Sequence, residues 1–229
     1  MGAAPPSIAT VELVVMDMAG TTVRDAGEVP AAFRSALAAH GVTLTDAEID
    51  AVRGASKREV VARLLATHRP DAPPSLVDVV YAEFRAALAE RYRTGAAREV
   101  DGAEGAIRWL RGRGVRVALN TGFDRAIVAL LLDALGWADG MVDAVVCGDD
   151  VLQGRPAPYP IHRAMEAVGA TDVRRVMNVG DTELDLRAGW NAGAAWNVGV
   201  TSGAHTRHRL ARAPHTHLIR SVADLPDLW

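Results

Sequence analysis

Short, uninterrupted apolar runs alternate along this chain with segments in which apolar residues recur every three or four positions. A short apolar run is typical of a strand buried on both faces, and the wider spacing is typical of a helix with one buried face. The runs predict strands at residues 11–16, 115–119, 142–146, 176–179 and 195–198. The spaced segments predict helices at residues 107–113, 124–135, 159–168 and 184–192. This alternation indicates an α/β fold with a doubly wound parallel sheet.

One long segment interrupts the alternation after the first predicted strand. From about residue 30 to residue 92 the pattern is helical throughout, as in Val60, Val61, Leu64 and Leu65. We therefore predict a helical insertion at residues 27–96 that forms a cap domain, and an α/β core made of residues 1–26 and 97–229.

Two helix starts are marked within the insertion. Residues 45–48 read Thr-Asp-Ala-Glu and residues 56–59 read Ser-Lys-Arg-Glu, which both match the capping box, and Gly54 is a natural stop between them. The second box predicts that Lys57 lies in the first turn of a helix.

Composition and charge narrow the class of protein. With 229 residues, of which 49% are hydrophobic, the chain can bury a full core, and its net charge of −3 leaves no basic surface for nucleic acid. The apolar runs are too short to span a bilayer. Cys147 is the only cysteine, and residues 1–6 lack the basic and apolar regions of a signal peptide, so we expect a cytoplasmic protein.

Among the 25 Lys and Arg residues there is a single lysine, Lys57. The codon bias of a GC-rich genome would explain why lysine is scarce, but it does not explain where the one lysine stands. A lone lysine is most often a solvated surface cation, so a chemical role for Lys57 needs support from its neighbours.

Polar residues follow three of the predicted strands. Asp17 ends the first, Thr121 and Gly122 follow the second, and Asp181 follows the strand at residues 176–179. Because the carboxyl ends of parallel strands meet at one edge of a sheet, these residues are predicted to converge there. Arg155 stands in the loop before the predicted helix at residues 159–168, where it could equally be a surface residue.

These motifs, in this order, resemble those of the haloacid dehalogenase (HAD) superfamily, which has a Rossmann-like core with an inserted cap. The resemblance covers the chain from about residue 11 to its end. It implies that Asp17 attacks phosphorus, that Thr121 and Gly122 bind the phosphoryl group, and that Arg155 is the motif-three cation, for which most members use lysine. On its own, Thr-Gly after a strand is also common turn chemistry.

The same resemblance implies a Mg²⁺ site. Asp17, the carbonyl of Ala19 and Asp181 would be ligands, with Asp185 as a supporting group. Carboxylate oxygens suit this hard cation. The competing interpretation is that Asp181 and Asp185 are acids favoured by the dipole at a helix N-terminus.

Ala19 departs from the common HAD pattern, in which a second aspartate protonates the leaving group. Without that acid, the leaving group must depart unprotonated or be protonated by another residue. An imine between Lys57 and an aldehyde would meet this need, because the iminium accepts the electrons of a breaking carbon–phosphorus bond. The helix position of Lys57 and its neighbours Arg53 and Arg58 favour the neutral amine, whereas Glu59 opposes it.

The residues at 17–22, 54–57, 154–156 and 180–182 are most similar to the phosphonatase branch of the superfamily. That resemblance implies a Schiff base on Lys57 and a homodimer that pairs through the cap. Phosphonatases have a histidine where this chain has Val60 and an aromatic hydroxyl where it has Phe123, and both changes remove polar groups near the imine.

We therefore predict a Mg²⁺-dependent HAD hydrolase that cleaves the carbon–phosphorus bond of a phosphonoaldehyde such as phosphonoacetaldehyde. Two alternatives stay open: a HAD phosphomonoesterase that acts on a small phosphorylated metabolite, and a non-catalytic protein that senses phosphate. We interpret the histidines at 205, 208, 215 and 217 as part of a polar C-terminal tail and assign no second metal to them.

Overall fold

A six-stranded sheet forms the centre of the molecule. The computed structural model describes residues 7–229 apart from the side chain of Ala96; residues 1–6, on which the expectation of no signal peptide rests, lie outside the described part. The strands are β1 (Leu13–Asp17), β2 (Arg116–Asn120), β3 (Ala144–Val146), β4 (Val176–Gly180), β5 (Trp196–Val200) and β6 (His217–Ile219). Their order is β3-β2-β1-β4-β5-β6, and every pair is parallel. The predicted doubly wound parallel sheet is confirmed.

Nine α-helices are found in residues 7–229. They are α1 (Glu28–Ala38), α2 (Asp46–Ala51), α3 (Lys57–His68), α4 (Leu76–Arg91), α5 (Ala103–Gly112), α6 (Arg125–Ala134), α7 (Tyr159–Val168), α8 (Glu183–Ala192) and α9 (Arg207–Leu210). A π-helical turn, Tyr92–Ala96, continues α4. Over the same residues, none of the helices has both the length and the apolar character that a bilayer crossing requires.

Strand β1 lies between β2 and β4, and all five of its residues are buried. Side chains alternate across its two faces: Val14 and Met16 join the larger core cluster, and Leu13 and Val15 pack towards α7 and α8. This burial on both faces explains the uninterrupted apolar run in the sequence. It also places Asp17 at the carboxyl edge of the sheet, near its middle.

The helical insertion contains α1 to α4, as the periodicity of residues 30–92 predicts. Phe33 of α1 stacks on Phe84 of α4 with ring centroids 4.3 Å apart, and Leu37, Val61 and Leu88 are fully buried around them. The insertion therefore has apolar packing of its own. Its definition as a separate domain with bounds at 27 and 96 stays a prediction.

Two local predictions need correction. The C-terminal region is not a polar tail: it contains α9 and β6, His205 is buried, and His217 stacks on Trp196 at 5.2 Å. Strand β6 has only three half-buried residues, too few to produce a periodic pattern.

The second correction concerns the two capping boxes. Thr45 and Glu48 form the predicted box at α2. At α3, the Ser56 side chain makes no capping hydrogen bond, and Glu59 Oε1 instead accepts from the backbone N–H of Gly154 at 3.3 Å. A contact with a distant loop has replaced the local one.

Two buried amides fix α8 against the sheet. Asn178 donates to the carbonyl of Asp185 (3.0 Å) and to Asn197 Oδ1 (2.9 Å), while Asn197 donates to the carbonyls of Leu186 (2.6 Å) and Pro214 (2.8 Å). These bonds satisfy polar groups that would otherwise be buried without partners. The N-terminal turns of α8, including Asp185, are thereby held beside β4 and β5.

We expect Asn197→Ala to lower the free energy of unfolding by about 3 kcal/mol, because it removes three buried hydrogen bonds and leaves their partners unsatisfied. Urea denaturation measures the change. Asn191→Ala, at an exposed position of helix α8 where the amide donates one hydrogen bond to the carbonyl of Pro156, is the control and should cost under about 1 kcal/mol. Equal losses in the two variants would contradict the role given to the buried amides.

Candidate active site

A partly open cavity lies between the carboxyl edge of the sheet and the helical insertion. Its free volume is about 40 Å³. The sheet side contributes Asp17, Ala19, Thr121, Arg155 and Asp181, and so brings together residues from four separate segments of the core. The insertion side contributes polar residues, Lys57 among them, together with an apolar wall formed by Val29, Pro30, Phe33, Ile49 and Val52.

Three carboxylates crowd the sheet side. Asp17, Asp181 and Asp185 are all buried, and each has an oxygen within 4.8 Å of the others. Asp181 accepts from the backbone N–H of Ala204 (2.6 Å) and from the Thr21 hydroxyl (3.3 Å). Burial and the nearby charge of Asp17 nonetheless raise the pKa of Asp181 to about 7. The cluster therefore has an excess of negative charge that a cation would relieve.

Arg155 supplies one such cation. It is buried, and its Nη1 donates to Asp17 Oδ1 at 2.7 Å and also to Asp185 Oδ1. The other oxygen of Asp185 accepts from the backbone N–H (3.0 Å) and the hydroxyl (2.5 Å) of Thr182. Arg155 is thus not a surface residue. Because both oxygens of Asp185 are engaged, this residue orients Arg155 and the loop at Thr182.

The donor set fits a hard divalent cation. Asp17 and Asp181 offer buried carboxylate oxygens on the cavity wall, and Ala19 lies beside them on the same wall. The raised pKa of Asp181 indicates that a second positive charge would be favourable in addition to Arg155. Oxygen ligands of this kind are the ones that Mg²⁺ prefers.

Lys57 closes the opposite side of the cavity. It is the first residue of α3, as predicted, and only 6% of it is exposed. Its backbone N–H donates to the carbonyl of Gly122 at 3.1 Å, its Nζ donates to the carbonyl of Ala55 at 3.0 Å, and Nζ stands 5.3 Å from the centre of the Phe123 ring. The single lysine is therefore a cavity residue and not a solvated cation.

The pKa of Lys57 is lowered to about 8. Burial is the main cause, the charge of Arg155 is the second, and the carboxylates of Asp17, Asp25 and Asp181 oppose both. The direction agrees with the sequence-based expectation, but the causes differ. In particular, Arg58 faces away and pairs with Asp78 at 2.7 Å, with more than half of both side chains exposed.

Two glycines allow the insertion to dock this closely. Gly54 has a φ of +83°, and a Cβ at this position would collide with the Thr182 side chain. A Cβ on Gly122 would collide with the carbonyl of Ala55. Gly122 therefore packs on the backbone of the insertion, whereas its neighbour Thr121 lines the cavity and accepts from the N–H of Phe123 at 3.2 Å.

Sequence reasoning missed one charged residue in the cavity, Asp25, and considered Arg53 only as a neighbour that lowers the pKa of Lys57. Asp25 stands between the Asp17 motif and α1, and its neighbours form no recognisable pattern. The one available signal was its position two residues before Gly27, where an acid can accept hydrogen bonds from the start of a helix.

Comparison with known proteins points to one family. The family model for haloacid dehalogenase-like hydrolases matches residues 11–193. The chain is 30% identical to the phosphonoacetaldehyde hydrolase of Paraburkholderia xenovorans, over 83% of this chain and 75% of that one.

Two solved structures share the fold. A phosphonoacetaldehyde hydrolase like protein from Oleispira antarctica superimposes with a TM-score of 0.84 at 23% identity, covering 100% of this chain and 96% of the other. A predicted phosphoglycolate phosphatase from Haemophilus somnus has a TM-score of 0.80 at 18% identity, covering 96% and 98%. At these identities the two structures support the fold only.

The lowered pKa of Lys57 can be measured by trace labelling with acetic anhydride, since only the neutral amine reacts. We expect the labelling rate to fall about tenfold for each pH unit below 8 and to level off above it, whereas an ordinary lysine continues to rise towards pH 10.4. Peptide mapping separates Lys57 from the N-terminal amine. The same residue in urea-unfolded protein is the control, and identical profiles in the two states would contradict the assignment.

Proposed function

The chain belongs to the haloacid dehalogenase-like hydrolases, and from this premise we propose that it hydrolyses the carbon–phosphorus bond of a phosphonoaldehyde such as phosphonoacetaldehyde. Asp17 is the nucleophile towards phosphorus, and Lys57 activates the organic half of the substrate as an imine. The observation that carries this proposal is that Ala19 and a buried amine with a lowered pKa line the same small cavity.

Ala19 affects which leaving group can depart from phosphorus. An alkoxide leaving from a phosphate ester needs a proton, and a methyl group cannot donate one. A carbon leaving group next to an iminium needs no proton at the moment of cleavage, because its electron pair moves into the C=N bond. The residue at position 19 therefore favours carbon–phosphorus chemistry over ester hydrolysis.

Lys57 has the properties that imine formation requires. With a pKa of about 8, roughly one molecule in ten carries the neutral amine at pH 7, compared with fewer than about one in a thousand for an unperturbed lysine. Burial in the cavity also protects an imine from bulk water. The cation–π contact with Phe123 and the hydrogen bond to Ala55 hold the amine over the site.

The proposed reaction has two covalent intermediates, an imine on Lys57 and a phosphoryl group on Asp17. Lys57 condenses with the aldehyde, releasing water and forming an iminium. Asp17 attacks phosphorus, the carbon–phosphorus bond breaks, and its electrons convert the iminium into an enamine. Protonation of the enamine carbon and hydrolysis of the resulting imine release the aldehyde, and water hydrolyses the phosphoaspartate to release phosphate.

Arg155 stabilises the charge on Asp17 and on the phosphoryl group, and Thr121 binds a phosphoryl oxygen. Asp17, the carbonyl of Ala19 and Asp181 would hold Mg²⁺, and Asp185 would support the site through Arg155. When bound, Mg²⁺ would neutralise part of the phosphonate charge that Asp17 must approach.

The size of the cavity and the named relatives support a small substrate. A free volume of about 40 Å³ suits a small molecule better than a bulky one. The relative from P. xenovorans is a phosphonoacetaldehyde hydrolase by name. The alternative of phosphate-ester hydrolysis is disfavoured by Ala19, and the H. somnus protein, a predicted phosphoglycolate phosphatase by name, shares only the fold with this chain. A purely phosphate-sensing protein would have no need of the buried amine.

The decisive test is intact mass after borohydride reduction in the presence of phosphonoacetaldehyde and Mg²⁺. We expect a reduced two-carbon adduct that maps to Lys57, together with release of phosphate and acetaldehyde. Lys57→Arg is the matched control because it keeps the charge, and it should lose both the adduct and phosphate release. Phosphate release without any adduct would overturn the imine mechanism, and absence of both would overturn the substrate.

A second test restores the missing acid. We expect Ala19→Asp to raise the hydrolysis of simple alkyl phosphates by about 100-fold, because a carboxylic acid can then protonate the alkoxide. Phosphate release is measured with the wild type, Ala19→Asp and Ala19→Asn, the last as a control of similar size that donates no equivalent proton. An equal rate in the three proteins would show that position 19 does not decide the leaving group.

A further inference from the structure

Asp25 is a carboxylate in the cavity wall, with 10% of its side chain exposed, that the scheme above does not use. We infer that Asp25 is the acid–base residue of the organic half-reaction, transferring protons during formation of the imine on Lys57 and during protonation of the enamine. This inference rests on the proposed function and adds a catalytic residue to it.

The two oxygens of Asp25 have different surroundings. Oδ1 accepts from the backbone N–H groups of Gly27 and Val29, both at 3.2 Å, which fixes the carboxylate at the start of α1. Oδ2 lies 3.6 Å from Arg53 Nη1, which is longer than a normal hydrogen bond. One oxygen therefore positions the group, and the other is available to a substrate. The Asp25 side chain is only 10% exposed.

The other acids in the cavity wall have different tasks. Asp17 is paired with Arg155, and Asp181 is held by Thr21 and the N–H of Ala204 on the sheet side. Within the described residues that line the cavity, Asp25 is the one carboxylate outside this cluster. Its negative charge acts on Lys57, where it favours the ammonium form.

The other side chains near Lys57 are less suited to proton transfer. Val60 and Phe123 are apolar and fully buried next to Lys57. The Tyr92 hydroxyl is buried, with its pKa raised by burial and by the charges of Asp25 and Glu28, and its ring packs edge-on against Phe123 at 6.5 Å. Tyr92 does not belong to the cavity wall. Asp25 therefore shares the cavity wall with Lys57 and is the acid available there for proton transfer to the imine.

The proton balance is complete without any added reagent. Asp25 takes a proton from the Lys57 ammonium, and the neutral amine adds to the aldehyde carbon. The proton on nitrogen moves to the new alkoxide and gives a carbinolamine. Protonated Asp25 then donates to the carbinolamine hydroxyl, which leaves as water, so that an iminium and the Asp25 carboxylate are formed. After carbon–phosphorus cleavage, Asp25 takes a proton from water and donates it to the enamine carbon. The hydroxide that is left adds to the resulting iminium, and the carbinolamine so formed breaks down to the aldehyde and the free amine of Lys57.

The competing explanation is that Asp25 only stabilises the start of α1 and pairs with Arg53. Asp25→Asn separates the two roles, because the amide oxygen can still accept from Gly27 and Val29 but the side chain carries no transferable acid proton. A change confined to proton transfer should leave folding and phosphonate binding intact.

The experiment is rapid-quench borohydride trapping with phosphonoacetaldehyde and Mg²⁺. We expect the rate of adduct formation on Lys57 to fall by about 100-fold or more in Asp25→Asn, with an unchanged Tm. Glu28→Gln, which makes the same charge change three residues away and outside the cavity wall, should keep the wild-type rate. In Asp25→Ala, added formate should restore part of the lost rate, which a structural role would not allow.

The outcomes distinguish a failure of the Asp25 role from a failure of the proposed function. If the wild type and Asp25→Asn form the adduct at equal rates, the role of Asp25 is overturned and the proposed function still stands. A slow Asp25→Asn with a lowered Tm, and no rescue of Asp25→Ala by formate, would assign Asp25 to structure and also overturn the inference. Absence of any adduct in the wild type would overturn the proposed function, and this inference with it.

Discussion

The buried ion cluster of Arg155 with Asp17 and Asp185 is the interaction on which the site depends. Removing three charges from water is costly, and the cluster is tolerable because Arg155 donates to both carboxylates and the loop at Thr182 also donates to Asp185. The sheet supplies this arrangement by ending strands β1 and β4 side by side. The buried amides of Asn178 and Asn197 then hold α8 in register with it.

The same cluster connects the two halves of the proposed chemistry. Arg155 neutralises the carboxylate that attacks phosphorus, and its charge also contributes to the lowered pKa of Lys57 across the cavity. This coupling needs a close approach between the helical insertion and the sheet. Gly54 and Gly122 permit that approach, because a side chain at either position would collide with the opposing segment.

Ala19 shows how a common fold can serve a different leaving group. In the proposed scheme, the proton chemistry has moved from the phosphorus side of the cavity to the insertion side, where Lys57 and Asp25 lie among apolar residues. Such a division suits a reaction in which carbon, and not oxygen, leaves phosphorus. Solved structures with related folds but low identity cannot reveal this difference, since it depends on a few side chains.

The order and position of the core elements could be predicted from the sequence, because each depends on a local pattern. The apolar run before Asp17 indicated a buried strand, and helix α7 has the same bounds, Tyr159–Val168, as its prediction. Residues that follow parallel strands must meet at one edge, so the convergence of Asp17, Thr121 and Asp181 was also predictable. The single lysine was conspicuous from composition alone.

Contacts between distant segments decided the rest. The burial of Lys57, and with it the main cause of its lowered pKa, arises from the docking of α3 on the loop at Gly122. Glu59 pairs with Gly154 and not with its own helix start, β6 forms only against β5, and Asp25 reaches the cavity through the path of the chain into α1. Apart from the position of Asp25 shortly before Gly27, these contacts have no local signature, because the free energy that favours each comes from residues far away in sequence.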